Sequence, residues 1–239
     1  MNTNELQHLN TVSRIYATEA GQLNRDITSF YSCRLNLRNI KGGRVLQLGV
    51  GDGLIAEALC DQADQVDVIE GSSEVITQFG TGKRFSVHHT LFEDYAPEIP
   101  YDIVVGNHVL EHVADPVEIA RLALGWLYPG GKALFTVPNA TSLHRRIGVK
   151  MGLIKHIQEL NEQDIELGHR RVYTPVELQN DLCLAGFERV DISGYMLKMV
   201  SHQQMKDWRR ELLDACFEAS LECDPHICSN IMALCYKSQ

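Results

Sequence analysis

No stretch of about 18 consecutive apolar residues occurs in this 239-residue chain, which excludes a membrane-crossing helix. An excess of basic charge is also missing. Lys plus Arg number 22 against 31 Asp plus Glu, a formal net charge of -9. That excludes a whole-surface basic footprint for nucleic acid or an anionic membrane, while leaving a local basic patch open. The first residues, Met1-Asn2-Thr3-Asn4-Glu5, lack the basic-then-apolar pattern of a secretory signal. The seven cysteines at 33, 60, 183, 216, 223, 228 and 235 are odd in number and scattered, unlike a disulfide framework. A reducing cytoplasm with free thiols is therefore expected. Cys223-x-x-His226-x-Cys228 has no second ligand pair at zinc spacing. Internal repeats, low-complexity stretches and linkers are absent too, so one domain is expected over residues 1–239.

What is there is an alternation of strand-like and helix-like segments, the pattern of a mainly parallel sheet covered by helices on both faces. Residues 1–42 read as a helical cap, ended by Lys41-Gly42-Gly43. Strands are expected at Val45–Leu48, Gln65–Ile69, Phe85–Val87, Tyr101–Gly106, Lys132–Val137, Phe187–Ser193 and Ile231–Tyr236, the last antiparallel. Helices are expected from Leu54 to Cys60, from Ser72, and from Asp115, where Asp, Pro and Glu form a start signal. Pro129-Gly130-Gly131 is expected to stop that helix. Thr174-Pro175-Val176-Glu177 opens another, which ends at Gly186, and a last helix is expected over about 203–219. Residues 139–172 have no strand character and are rich in His and Arg.

The strongest signal is the loop Leu48-Gly49-Val50-Gly51-Asp52-Gly53, after the first strand and opening a helix. Glycine is needed where backbone must approach a ligand closely or adopt positive φ. Glu70 lies 21 residues beyond Gly49, at the end of the second strand, where a carboxylate can accept from both hydroxyls of a ribose. A dinucleotide fold wants G-x-G-x-x-G so that the helix N-terminus meets the pyrophosphate. Here the spacing is G-x-G-x-G, and Leu54 stands where the third glycine of that pattern would fall.

These residues, with Val68-Ile69-Glu70-Gly71, Phe92-Glu93-Asp94, Tyr101-Asp102-Ile103-Val104, Leu110-Glu111-His112-Val113 and Leu127-Tyr128-Pro129-Gly130-Gly131, make the chain resemble the class I S-adenosylmethionine-dependent methyltransferases over roughly residues 40–200. The Leu-Glu-His-Val and Pro-Gly-Gly blocks resemble the small-molecule branch that includes ubiquinone-biosynthesis O-methyltransferases. The resemblance implies a Rossmann-like seven-stranded α/β sheet, with a cofactor core at 43–200, an acceptor lid at 139–172 and a C-terminal helix and strand at 201–239. It implies S-adenosyl-L-methionine as cofactor and S-adenosyl-L-homocysteine as product. Gly49, Gly51, Gly53 and Gly71 would line the cofactor, Glu70 would hold the ribose, Leu91 and Phe92 would border the adenine, and Asn107 and His108 would face the sulfonium. The family usually has Asp or Glu at position 47. Gln47 keeps an oxygen for the cofactor's ammonium but brings no charge.

The acceptor side is open to more than one reading. His108 or His144 would take a proton from an acceptor hydroxyl. His108-x-x-Glu111-His112 also matches an inverted zinc-protease string, in the wrong context for a protease. Together with His144 or His169 it leaves a divalent ion conceivable, though an organising role for Glu111 and His112 is preferred. Tyr16 would close the pocket from the cap. Arg145, Arg146, His169, Arg170 and Arg171 would hold an anionic small-molecule acceptor. The same arginines would equally pair with Glu159, Glu162, Asp164 and Glu166. The expected reaction is methyl transfer to oxygen or nitrogen of a small molecule, by a monomer or homodimer. The alternatives are a nicotinamide-dependent oxidoreductase and a non-catalytic protein of the same fold.

Overall fold

The computed structural model describes residue 10 and residues 18–239. Tyr16 lies outside the described residues. The strands are β1 (Arg44–Leu48), β2 (Gln65–Glu70), β3 (Ser86–His89), β4 (Tyr101–Asn107), β5 (Leu127–Pro138), β6 (Arg189–Tyr195) and β7 (Asn230–Tyr236). They form one seven-stranded sheet in the order β3-β2-β1-β4-β5-β7-β6. β3, β2, β1, β4 and β5 pair in parallel, and β7 runs antiparallel between β5 and β6. The strand order reverses between β1 and β4, so the chain leaves these two strands in opposite directions and opens a crevice at their carboxyl ends.

α1 (Glu19–Asn24) passes through a π-helical turn at Arg25–Ser29 into α2 (Phe30–Asn39). These pack on the same face as α3 (Leu54–Leu59) and α9 (Arg210–Ser220). The other face carries α5 (Pro116–Trp126) and α8 (Pro175–Ala185). Both faces of the sheet are covered, so the central strands are apolar on both sides: Val45, Leu46, Val104 and Val105 have no exposure to water.

Local chemistry sets the helix ends. Asp115 caps α5 by accepting from the Glu118 amide. Thr174 and Glu177 form a reciprocal capping box on α8, and Gly186 ends it at φ 108°. The N-terminal cap is clamped to α9. Tyr31 donates to Asp214 at 3.0 Å and stacks on Phe217, and Arg34 pairs with Asp214 and Glu218 at 2.6 and 2.7 Å.

Two sequence expectations need correction. α5 has already ended at Trp126, so Pro129-Gly130-Gly131 does not stop it but lies inside the start of β5. The region 203–219 is not one helix. Met205 is buried at the end of a single 3-10 turn, Gln203–Met205, and the chain then extends to Arg209 before α9 begins. The segment 139–172 contains two short helices, α6 (Leu143–Lys150) and α7 (Glu162–Glu166). Its base is pinned by Asn139, whose amide donates to the carbonyls of Pro225 and Cys228 at 2.9 and 2.8 Å.

Gly106 is the point of closest packing in β4. A Cβ there would stand 2.7 Å from the ring of Phe135, a side chain with no exposure. Gly106→Ala is expected to destabilise the fold by about 1–3 kcal/mol through overpacking. Urea unfolding measures this as a lowered midpoint, and an unchanged midpoint would mean that Phe135 yields freely.

Candidate functional site

A cavity of about 630 Å³ lies along the carboxyl ends of β1, β2, β4 and β5. Its first half is built by the glycine-rich loop. Gly49, Gly51 and Gly53 all have positive φ, at 77°, 57° and 76°. At Gly49 and Gly51 a Cβ would meet no protein atom within 4 Å, and both residues line the cavity. A side chain there would therefore occupy ligand space. Gly53 differs, because its Cβ would press on the Phe79 carbonyl at 3.1 Å. Its role is packing at the start of α3.

Glu70 is held at the end of β2 by two amides, Val50 at 2.9 Å and Ser72 at 2.7 Å. Burial raises its carboxyl above the usual range, and the amide bonds from Ser72, Val50 and Gly71 oppose this. Each carboxylate oxygen keeps lone-pair capacity for a hydroxyl. Gln47 donates its side-chain nitrogen to the Gly49 carbonyl at 2.8 Å. That fixes the amide orientation and leaves Gln47 Oε1 buried without a hydrogen-bond partner. On β4, Asn107 accepts from Thr136 at 3.1 Å, which leaves Asn107 Nδ2 as a buried donor without a partner. Buried polar atoms are rarely left unpaired, so an orphaned acceptor on β1 and an orphaned donor on the adjacent β4 are notable. Gly71, Leu91 and Phe92 complete this half.

The second half is organised by a buried carboxylate. Glu111, with no exposure, accepts from His108 Nδ1 at 2.9 Å. His108 Nε2 then meets the hydroxyl of Tyr195 at 3.1 Å, and that hydroxyl meets Ser32 Oγ at 2.7 Å. With Nδ1 donating to the carboxylate, Nε2 is the acceptor for Tyr195. Both ring nitrogens of His108 are thus engaged. The residue sits at φ 52°, a costly conformation for a non-glycine side chain, held by its amide bond to the Thr136 carbonyl. Burial alone would raise the Glu111 carboxyl. The His108 hydrogen bond and the nearby His112 and His169 rings outweigh it and hold the carboxyl below the usual range.

A methyltransferase-domain family model matches residues 16–192 of this chain. The chain belongs to that family. It is an S-adenosylmethionine-dependent methyltransferase. A ubiquinone biosynthesis O-methyltransferase of Xanthomonas euvesicatoria pv. vesicatoria is 30% identical over 174 residues, 70% of each chain. A SAM-dependent methyltransferase of Thermotoga maritima shares the fold with TM-score 0.65 at 15% identity, covering 99% of this chain and 96% of that one. The N-methyltransferase NodS of Bradyrhizobium japonicum, solved with S-adenosyl-L-homocysteine, does so with TM-score 0.62 at 13% identity, covering 97% and 98%.

The arginines of this methyltransferase do not face the cavity together. Arg145 lines it but is buried in the lid, paired with Asp164 at 3.1 Å and donating to the carbonyls of Ile157 and Glu159. Arg171 donates to the carbonyls of Leu110, Val113 and Ala114 at 2.7, 2.6 and 3.1 Å, which fastens the loop after β4. Arg146 and Arg170 are exposed and are not among the lining residues. His169 lines the cavity, with Nδ1 3.2 Å from Asp164. Glu111, His112 and His169 bring one ligand atom each within 4.8 Å of one another. The grouping that the sequence left open for a divalent ion thus includes His169 and leaves out His108 and His144.

His144 lines the cavity with Nδ1 buried and unpaired. Burial, with Lys198, Arg145 and His202 adding to it, pushes this imidazole down to about 2. Sequence reasoning missed Ser32, Tyr195, Lys198 and His202. None belongs to a local motif, and the sheet order alone brings them to the crevice.

Asp164 joins α7 to the rest of the lid through Arg145, His169 and the Asn161 amide. Burial opposes its ionised form. The His169 and Asn161 hydrogen bonds and the Arg145 charge prevail and lower the carboxyl from 3.8 to about 2. The folded value lies below the ordinary one, so its stabilisation is complete above pH 4 and is lost as the pH falls from about 4 toward about 2. It is worth on the order of 2 kcal/mol near neutrality. Asp164→Asn is expected to lower stability at pH 7 and to flatten the loss of stability between pH 4 and pH 2. Denaturant titrations across that range measure both, and parallel curves for the two proteins would contradict the assignment.

Proposed function

We propose that the chain methylates an oxygen of a small molecule bearing an anionic group, with the donor held at the glycine-rich loop. The observation that carries the donor half is the trio of Glu70, Gln47 Oε1 and Asn107 Nδ2. A doubly tethered carboxylate suits a ribose diol, the unpaired amide oxygen suits an ammonium, and the unpaired amide nitrogen suits a carboxylate. When bound, S-adenosylmethionine supplies a methyl group on a sulfonium and hence the whole driving force of the transfer. The protein's part is alignment in a space that excludes water, together with care of one proton.

His144 lines the cavity and its buried Nδ1 has no hydrogen-bond partner, so it is the group left to receive the acceptor proton. At about 2 this is a weak base. It suffices because a hydroxyl oxygen becomes strongly acidic as it gains a methyl group. His108 has no free ring nitrogen, so its part is positional: with Glu111 it fixes the turn that follows Asn107. Oxygen rather than nitrogen as acceptor is favoured by the name of the Xanthomonas relative.

Two other readings fit less well. A dinucleotide would bring its pyrophosphate to the N-terminus of α3, but Asp52 already places a carboxylate there, accepting from the Leu54 amide at 3.0 Å. A non-catalytic relative would have a closed acceptor side. Here the cavity continues past Asn107 to His144, Lys198 and His202.

Calorimetry with S-adenosylhomocysteine tests the donor half. Wild type is expected to bind, and Glu70→Ala to lose about tenfold or more in affinity. Binding of NADH in place of S-adenosylhomocysteine would contradict the reading. Transfer of a labelled methyl group to a panel of hydroxylated acids tests the other half. His144→Asn is expected to lower kcat with the affinity for S-adenosylhomocysteine unchanged. A loss in His108→Asn alone, with His144→Asn intact, would move the proton to His108.

A further inference from the structure

Three basic side chains converge on the acceptor end of the cavity and none is neutralised there. Lys198 and His202 come from the chain that follows β6, and His144 from the first turn of α6. All three line the cavity. Among the described residues the Lys198 ammonium makes no hydrogen bond or ion pair, and His144 Nδ1 is buried without a partner. Asp164 and Arg145 also border this end, but they are committed to each other and to the lid backbone. The other ionisable groups here are basic, so among the described residues no uncommitted carboxylate stands at this end to pair with Lys198.

Burial pushes Lys198 down to about 8, with Asp164 opposing and Arg145 adding to the shift. Burial likewise lowers His202 well below its ordinary range, with Lys198 and His108 contributing. The Lys198 charge makes both imidazoles harder to charge. An anion in the cavity would favour the charged form of all three at once, and a charge-assisted hydrogen bond to a partly buried ammonium is among the stronger polar contacts.

We infer that Lys198, flanked by His144 and His202, is the docking point for an oxyanion of the methyl acceptor, a carboxylate or a phosphate, and sets the enzyme's preference for acidic substrates. This rests on the methyltransferase reading and moves the anion site away from the arginine triplets. The site selects by charge: a neutral analogue would leave the ammonium desolvated and unpaired.

The test uses the full chain loaded with S-adenosylhomocysteine. Acetic anhydride labelling of Lys198, followed by mass spectrometry, is run with inorganic phosphate, benzoate or neutral benzamide present. Benzoate or phosphate is expected to slow Lys198 labelling about tenfold while leaving Lys237 unchanged, and benzamide to have little effect. Protection by phosphate alone identifies a phosphate group, and by benzoate alone a carboxylate. Calorimetry on Lys198→Met is expected to show anion binding lost and S-adenosylhomocysteine binding kept, with Lys198→Arg restoring part of the anion affinity. Equal labelling with and without both anions, or equal protection by benzoate and benzamide, overturns the proposal. Failure of wild type to bind S-adenosylhomocysteine would instead sink the methyltransferase reading, so the two failures are distinct.

Discussion

A carboxylate sealed from water holds the centre of this site together. Glu111 has no exposure, yet burial does not neutralise it, because His108 donates to it and two further imidazoles stand close. Its backbone carbonyl accepts from the Arg170 amide at 2.8 Å, which ties the loop after β4 to the end of the lid. Arg171 adds three bonds to carbonyls of that same loop. Removing the hydrogen-bond donor of a buried carboxylate is costly, since the charge is left without a partner. The turn at His108, and with it the direction of the Asn107 and Ser32 contacts, depends on this one group.

From that centre the cavity divides by chemistry. Toward β1 and β2 it offers backbone, an anchored carboxylate and two orphaned amide atoms, a neutral-to-acidic surface for a zwitterion with a ribose. Toward β5 and β6 it offers the nitrogens of Lys198, His144 and His202. The His108–Tyr195–Ser32 chain links β4, β6 and the N-terminal cap at the boundary. The cap itself is held from behind by the Asp214 and Glu218 pairs, which are partly exposed and individually modest. The stacked Tyr31 and Phe217 rings carry the apolar part of that junction.

The donor half was legible in the sequence because its signals are local. The glycine loop, Glu70 at the end of the next strand and Asn107 at the end of β4 all follow from strand endings that hydrophobic runs reveal. Gln47 was legible as a residue of this half, and the structure adds that its nitrogen is committed to the Gly49 carbonyl, which leaves the oxygen unpaired. The acceptor half was not, because tertiary topology assembles it. β7 inserts between β5 and β6, which carries the chain after β6 back over the crevice and delivers Lys198 and His202 from a stretch with no motif. The sequence left the two His-Arg-Arg triplets open between an anionic ligand and pairing within the chain, and for Arg145 and Arg171 the structure shows the second. Arginine chemistry suits carboxylates, but it suits backbone carbonyls as well. Arg145 and Arg171 satisfy the lid and the β4 loop instead of a ligand.

In the proposed complex one cavity holds a zwitterionic nucleoside donor at the glycine loop with its methyl end toward His144. A crystal structure with S-adenosylhomocysteine bound tests this most directly. The ribose hydroxyls are expected on Glu70, the ammonium on Gln47 Oε1, and the sulfur facing the space between Asn107 and His144. A ligand whose ribose lies away from Glu70, or whose sulfur is turned from His144 and Lys198, would contradict it.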